Sequence, residues 1–406
     1  MSSSSILHFH SALVARQTTA TATISSYLGQ ITQHNPTLNA LLTINHDALI
    51  EAQEKDTQLT YYINTQTPLP PLFAVPLILK DTYTTAPPLP TTSGIRALRS
   101  LQSHTDAPVV ARLKSAGAIV LAKANLHEFS LEGVTVSSLG GQTRNPYDLT
   151  RTPGGSSGGT AAALAAGMGL VGCGGDTMNS LRSPASACAV IVNDTINAAL
   201  EKVKSAAANE VEFVDLPHAD WDVAMLRDTA DTQAYEFKEQ FDTFLGDKTI
   251  FHDPVCRTLA EIVESGEYHH DAVTDVLRLT LRPEEGYSTT SLAYRERLRR
   301  IETLKEEVEK CFREYRLDAM VYPHQRQLVV EVGEMRQPGR NGLLASLTGR
   351  PAICIPGGFS PPSETAPIGI PIGLELMGKP DDDEKLLDLA ERFEESIQAR
   401  KIPVGY

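Results

Sequence analysis

The sequence predicts an α/β fold built on a largely parallel sheet with helices on both faces. Apolar, strand-like runs such as "LFAVPLILK" and "AIVLAKA" alternate with amphipathic helical stretches along the N-terminal third. That is the pattern of buried parallel strands joined by helical crossovers. The same helix-then-strand order recurs at "NDTINAALEKVKSAAANEVEFVDLP". No internal repeat and no clean linker interrupts the chain, so one domain spanning residues 1–406 is expected.

Each element has a local reason. "DALIEAQEKDTQL" has helical spacing, and a loop rich in Pro and Thr (Thr65 to Pro71) separates it from the strand "LFAVPLILK". "APVVARLKSAGAIVLAKAN" reads as an amphipathic helix, a stop at Gly117 and a buried strand. The apolar run "AAALAAGMGLVGC" from Ala161 contains Gly167, Gly169 and Gly172. It is well short of the ~20 residues that cross a bilayer, and reads as a buried helix leading into a strand. Further on, Ile196, Leu200, Val203 and Ala207 form one helix stripe, Asp194 or Thr195 caps it, and "VEFVDLP" is the strand that follows. From about His218 to Pro323 the chain is mostly helical and includes the charged amphipathic helix "SLAYRERLRRIETLKEEVEKCFREYR". Strand and turn chemistry returns at "RPAICIPGGF" and "PIGIPIGLELMG", and "DEKLLDLAERFEESIQAR" is a final helix.

Composition narrows the class of partner. Lys and Arg total 36 against 50 Asp and Glu, a formal charge of −14. This balance argues against nucleic acid as the main partner and offers no basic patch for a membrane. "KPDDDEK" (Lys379 to Lys385) is the only dense charge run and reads as solvated surface. The five cysteines (Cys173, Cys188, Cys256, Cys311, Cys354) are scattered without a CxxC, as expected of reduced thiols in an intracellular protein. The opening "MSSSSILHFH" lacks the basic and apolar segments of a signal peptide, so a cytoplasmic location is expected.

The stretch "TPGGSSGGT", Thr152 to Thr160, surrounds two serines with glycines. It has no lysine where a P-loop needs one, and a loop rather than a strand precedes it, which fits neither a dinucleotide fingerprint nor a hydrolase elbow. A linker is excluded because a core segment follows directly. Glycine here permits unusual backbone angles near a reacting group. Two further segments bear on it. Lys80 ends the apolar strand "LILK", and Ser180 follows "GLVGCGGD", 180 − 156 = 24 residues after Ser156. The histidines, "HFH" and "YHH" included, lack the HExxH spacing of a zinc site. His127, in "NLHEFS", is the histidine nearest the site in sequence and is expected to line or support it.

In "LILKD", "TPGGSSGG" and "GGDTMNSLRSPA" the chain resembles the amidase signature family. Weaker similarities are "NPTLNALLTINHDALIEAQEKD", "DAPVVARLKSAGAIVLAKANLHEFS", "TGRPAICIPGGF" and "PIGIPIGLELMGKPDDDEKLLDLAERFE". The resemblance implies a three-layer fold with a mixed, largely parallel central sheet flanked by helices. It implies Ser180 as nucleophile, Ser156 as a bridging serine at a cis peptide bond, and Lys80 as base. It also implies an oxyanion hole from backbone N–H groups of Thr177, Met178, Asn179 and Ser180. Asp176 and Arg182 would brace that loop as an ion pair, and Ser157 would hydrogen-bond within the triad network. The implied reaction is hydrolysis of a small-molecule amide through an acyl-enzyme, with no metal or cofactor. The chemistry is sound on its own terms: a serine needs an adjacent base, and burial favours the neutral form of a lysine.

Two departures from the family stand out. Met178 and Asn179 occupy a loop that is usually glycine-rich, so a glycine restored at 178 is expected to relieve strain if the loop needs positive φ. In addition, Val190 runs directly into "IVNDTINAALEKVKS", so an internal block is absent near 190/191 and the fold is shortened in the middle. Its loss is expected to leave unpaired strand edges, with impaired activity and self-association. The alternatives are therefore a truncated, catalytically impaired homologue, or an amidotransferase A-like subunit that works with partner subunits.

Overall fold

The computed structural model describes residues 6–185, 192–207, 211–216, 221–251, 254–273, 277 and 287–406, with residues 185, 192 and 193 described by backbone alone. Two apolar runs form the centre of the first sheet: β2 (Pro76–Lys80) and β3 (Ile119–Ala124), in which every residue is buried. β1 (Leu41–Ile44) pairs antiparallel with β3, β2 pairs parallel with β3, and β6 (Val171–Cys173) pairs parallel with β2. The order is β1-β3-β2-β6. This is the expected mixed, mostly parallel sheet. Burial on both faces explains why β2 and β3 show no polar alternation.

Helices cover this sheet. α1 (Ile6–Val14), α2 (Ala20–Leu38) and α3 (Ala48–Thr65) pack on one face, where Leu13, Ile24, Leu38, Ala52 and Leu59 join Ile78, Ile119 and Leu121. The α2 N-terminus is held twice. The Thr19 hydroxyl accepts from Ala22 N–H, and Asp56 of α3 accepts from Ala20 and Thr21 N–H at 2.6 and 3.0 Å. α4 (Pro108–Ser115) ends as anticipated at Gly117, which has φ +105° and where a Cβ would lie only 2.7 Å from Phe73 Cα. α5 (Gly158–Ala165) leads into β6, so the helix-then-strand reading of that apolar run holds. A hairpin of β4 (Val136–Ser137) and β5 (Gly141–Gln142) lies between β3 and α5 in the chain.

The C-terminal half forms a second sheet, antiparallel, of β7 (Met320–Pro323), β9 (Pro371–Met377) and β8 (Ala352–Phe359). After α6 (Arg182–Ala185) comes α7 (Val192–Ala206), where Ile196 and Val203 are buried and Leu200 is half-buried against Ile355, Leu374 and Phe393. The helix already runs at Val192, so Asp194 and Thr195 lie inside it rather than capping it. α8 (Val223–Ala230), α9 (Gln233–Gly246) and α10 (Leu259–Ser265) follow, then the long charged helix α11 (Leu292–Glu314), N-capped by Ser291. α12 (Leu343–Thr348) precedes β8, and α13 (Asp383–Ile397) packs on the second sheet.

One expected strand is missing. Val211–Leu216, the described part of "VEFVDLP", takes no strand pairing. Its period-2 pattern survives, since Val211 and Phe213 turn to the second core and Phe213 meets Phe393 edge-on with ring centroids 6.3 Å apart. A strand also needs a ladder partner, and none of the described strands lies alongside. A cavity of about 1220 Å³ instead opens between this segment, β7 and α13. The edge strands β6 and β8 are mostly half-buried, unlike β2 and β3. Val190 and Ile191, the expected junction, lie outside the described residues.

Candidate active site

β2 delivers Lys80 to the carboxyl end of the parallel strands, where its side chain is 1% exposed. The Nζ donates to Ser156 Oγ at 2.6 Å. Burial lowers the Lys80 pKa to about 7, against the opposing pull of the Asp176 carboxylate. A neighbouring lysine shows what burial does when a carboxylate is at hand. Lys123 on β3 is equally buried, yet it pairs with Asp81 at 2.8 Å and donates to the carbonyls of Tyr83 and Pro90 at 2.9 and 2.8 Å. Lys123 is tied to a carboxylate and two carbonyls, whereas Lys80 faces a hydroxyl.

The serine-bearing turn is shaped by close contacts. The Gly155–Ser156 peptide bond is cis, and Gly154 has φ +78°, a conformation natural to glycine. Thr135, which sequence reasoning did not single out, braces this turn. Its hydroxyl donates to the Gly154 carbonyl at 2.6 Å and accepts from Gly158 N–H at 3.1 Å. The expected support from His127 also exists, through its backbone: His127 N–H donates to the Ser156 carbonyl at 3.0 Å. The imidazole itself is buried, its Nδ1 has no hydrogen-bond partner, and burial pushes its pKa down to about 4, so it is neutral near pH 7.

Ser180 joins this pair through the main chain, its carbonyl accepting from Ser157 N–H at 2.9 Å. Ser180 is 8% exposed and Ser156 fully buried. A Ser156–Ser180 hydroxyl contact is not among the hydrogen bonds of the described residues. The Ser157 hydroxyl contacts the main chain of Gly175, at 3.2 Å to both N and O, and so ties α5 to the end of β6. The loop from Thr177 to Ser180 turns inward along its length: Thr177 is exposed, Met178 half-buried, Asn179 and Ser180 buried. No main-chain N–H from 177 to 180 donates to another described residue.

The brace expected from Asp176 and Arg182 is present, with Arg182 Nε 2.6 Å from Asp176 Oδ2. It belongs to a larger buried cluster that sequence reasoning missed. Arg182 also contacts Glu375 on β9, and donates to the Gly342 carbonyl and Ser346 hydroxyl, both at 2.9 Å. Glu375 is fully buried, accepts from Tyr322 Oη at 2.6 Å, and contacts His324 Nδ1. Burial alone would raise the Glu375 pKa, but His324, Arg182 and Tyr322 outweigh it and hold the group ionised. A charged residue inside the apolar "PIGLELMG" was the available signal.

Met178 corrects an expectation. Its φ is not in the left-handed region, so a glycine there has no strain to relieve. The side chain packs into an apolar cluster with Leu226, Leu304, Val308 and Leu343. Met178→Gly is therefore expected to lower stability by about 1–3 kcal/mol through lost packing and added chain entropy, with no gain in turnover. Urea unfolding and amide turnover of the variant, measured side by side, check this. An activity gain at unchanged stability would restore the strain account.

Comparison with known proteins fits this arrangement. The profile of the family described as Amidase matches residues 22–191 and 192–387, in two consecutive pieces. The A-type subunit of glutamyl-tRNA(Gln) amidotransferase from Maridesulfovibrio salexigens is 39% identical over 188 residues, 46% of this chain and 37% of that protein. Its chloroplastic/mitochondrial counterpart from Vitis vinifera is 38% identical over 188 residues, 46% of this chain and 34% of that protein. The chain thus matches little more than a third of the length of these curated relatives. In three dimensions it is similar to the native peptide amidase from Stenotrophomonas maltophilia, with TM-score 0.80, 22% identity, and 99% and 98% of the two chains covered. A bacterial aryl acylamidase of the amidase signature enzymes gives TM-score 0.78 at 18% identity, with 99% and 98% covered. With the profile matching most of its length and the lysine and serines of its motifs brought to one place, the chain belongs to the Amidase family.

Proposed function

We propose that this protein hydrolyses the C–N bond of a small-molecule carboxamide through an acyl-enzyme on Ser180. The single observation that carries the reading is the 2.6 Å contact between a buried Lys80 and the Ser156 hydroxyl. Neutral Lys80 accepts the Ser156 proton as Ser156 takes the proton of Ser180, and Ser180 Oγ bonds to the amide carbon. The carbonyl oxygen becomes an oxyanion, held by N–H groups of the 177–180 loop, none of which donates to another described residue. Collapse of this intermediate breaks the C–N bond, and the proton returns through Ser156 to the departing nitrogen. Water then adds to the acyl-enzyme, with Lys80 again receiving a proton through Ser156; the acyl C–Oγ bond breaks, the proton passes back through Ser156 to Ser180 Oγ, and the acid is released. No described helix is long and apolar enough to cross a membrane.

A fluorophosphonate probe tests the reading, because its attachment to Ser180 needs an activated nucleophile. Labelling is expected to rise with pH through about 7 and then level, since the base works only in its neutral form and the Lys80 pKa is about 7. No attachment at Ser180 at pH 8 sinks the reading.

Two observations favour a second reading, an impaired enzyme with part of its sheet absent. The family match breaks at 191/192, and β6 and β8 are half-buried edges. On that reading the chain melts early, self-associates and labels weakly. A monodisperse, cooperatively melting and fully labelled protein excludes it. The 39% identity to one component of an amidotransferase favours the partner-dependent alternative only if the isolated chain fails to turn over simple amides.

A further inference from the structure

We infer that Glu375, on the second sheet, and His324, in the bend just after β7, are positioning residues that hold the Asp176–Ser180 loop in register with Lys80. This rests on the amidase reading above. The loop is gripped at both ends by groups that converge on Glu375. At its start, Asp176 is held by Arg182, whose other nitrogens contact Glu375, the Gly342 carbonyl and the Ser346 hydroxyl. At its end, Asn179 packs against Gly342: a Cβ added to Gly342 would lie 3.0 Å from Asn179 Cβ, 2.5 Å from His324 Cε1 and 2.8 Å from Arg182 Nη1. Asn179, His324 and Arg182 thus crowd one glycine, and only a residue without a side chain leaves room for all three.

The carboxylate is the centre of this arrangement. Glu375 receives Arg182 and Tyr322 on one oxygen and His324 on the other, so its lone pairs fix three donors at once. Just below the loop, Gln325 donates to Ser183 Oγ and to the Ser183 carbonyl, both at 3.1 Å. Gln325 therefore ties down the segment after Ser180, while its neighbour His324 flanks Gly342, against which Asn179 packs on the other side of Ser180. The N–H donors of 177–180 can act on a developing oxyanion only if the loop is held to within about 0.5 Å. β2 supplies Lys80 and the turn before α5 supplies Ser156, and through Glu375 the second sheet holds Ser180 opposite them.

The test uses the full chain, with Glu375→Gln as an isosteric change and Tyr322→Phe as a milder one that keeps the charge. Each is labelled with a fluorophosphonate probe, and both the rate constant and the final labelled fraction are read. For Glu375→Gln the rate constant is expected to fall about 10- to 100-fold, as small misplacements of reacting groups do. The labelled fraction should stay close to that of the parent. Tyr322→Phe should fall in the same direction by a smaller factor. A reduced labelled fraction with an unchanged rate constant in both variants would mean that Glu375 only stabilises the fold, and overturns the inference. So does a rate constant within twofold of the parent. Absence of labelling in the parent chain defeats the amidase reading itself, a result distinct from either.

Discussion

Lys80→Ala and Ser180→Ala should each lower amide turnover by about 10⁴- to 10⁶-fold, and the double variant should be no worse than the more damaging single one. The non-additivity follows from the proton path. Ser180 is nucleophilic only while Ser156 can pass its proton to Lys80, so removing either end disables the same step. Lys80, with a pKa of about 7, is about half neutral at pH 7, and its hydrogen bond of 2.6 Å is to an uncharged hydroxyl. Its removal leaves a packing defect rather than an unpaired charge, and Lys80→Met, of similar volume, should keep the fold while staying inactive. Turnover of a small aryl amide, with circular dichroism on the same samples, gives the answer. Near-normal turnover by Ser180→Ala would remove Ser180 from the mechanism.

Arg182→Met should produce the largest loss of stability of any single change at the site, about 3–5 kcal/mol, because it strands a buried carboxylate. Glu375 is fully buried and Asp176 lies on the other side of the guanidinium. With the cation gone, Glu375 must protonate or be solvated. A second effect follows at Lys80. The Asp176 charge already raises the Lys80 pKa against the effect of burial, and Arg182 offsets that charge from 2.6 Å away. Without it, the acid limb of activity should move to higher pH. Urea unfolding and a pH–rate profile of the variant read the two effects separately, and an unchanged unfolding midpoint contradicts the account.

The sequence was most informative where residues break local rules. A lysine closing the apolar strand "LILK" and serines crowded by glycines are each odd for a core, and both sit where the structure brings them together. Asp176 and Arg182 were accessible as a pair through the resemblance, whose motif "GGDTMNSLRSPA" holds both, six positions apart. Glu375 was not, since its donors Arg182, Tyr322 and His324 lie 193, 53 and 51 residues away. Such a cluster exists only once two sheets meet. The segment "VEFVDLP" illustrates the complementary limit. Its alternation correctly placed Val211 and Phe213 toward a core, but alternation specifies a face and not a partner, and no ladder forms. At Met178 the residue type was plain and its direction was not, because the apolar cluster it joins comes from helices far along the chain.

Lys80 and Asp81 are adjacent in sequence, yet the two behave as if insulated from each other. Along β2, Ile78 points to one core and Leu77 and Leu79 to the other. By the same parity Lys80 meets Ser156, while Asp81 pairs with Lys123 and accepts from Thr92 N–H at 3.0 Å. The sheet is thus a partition one peptide thick, with a proton acceptor on one side and a neutralised ion pair on the other. Were the strand to slip by one residue, the carboxylate would face the serines and the base would face a carbonyl-lined pocket already holding a cation. The distance that keeps Lys80 reactive is set by which way a side chain points, not by how far apart two residues lie in the chain.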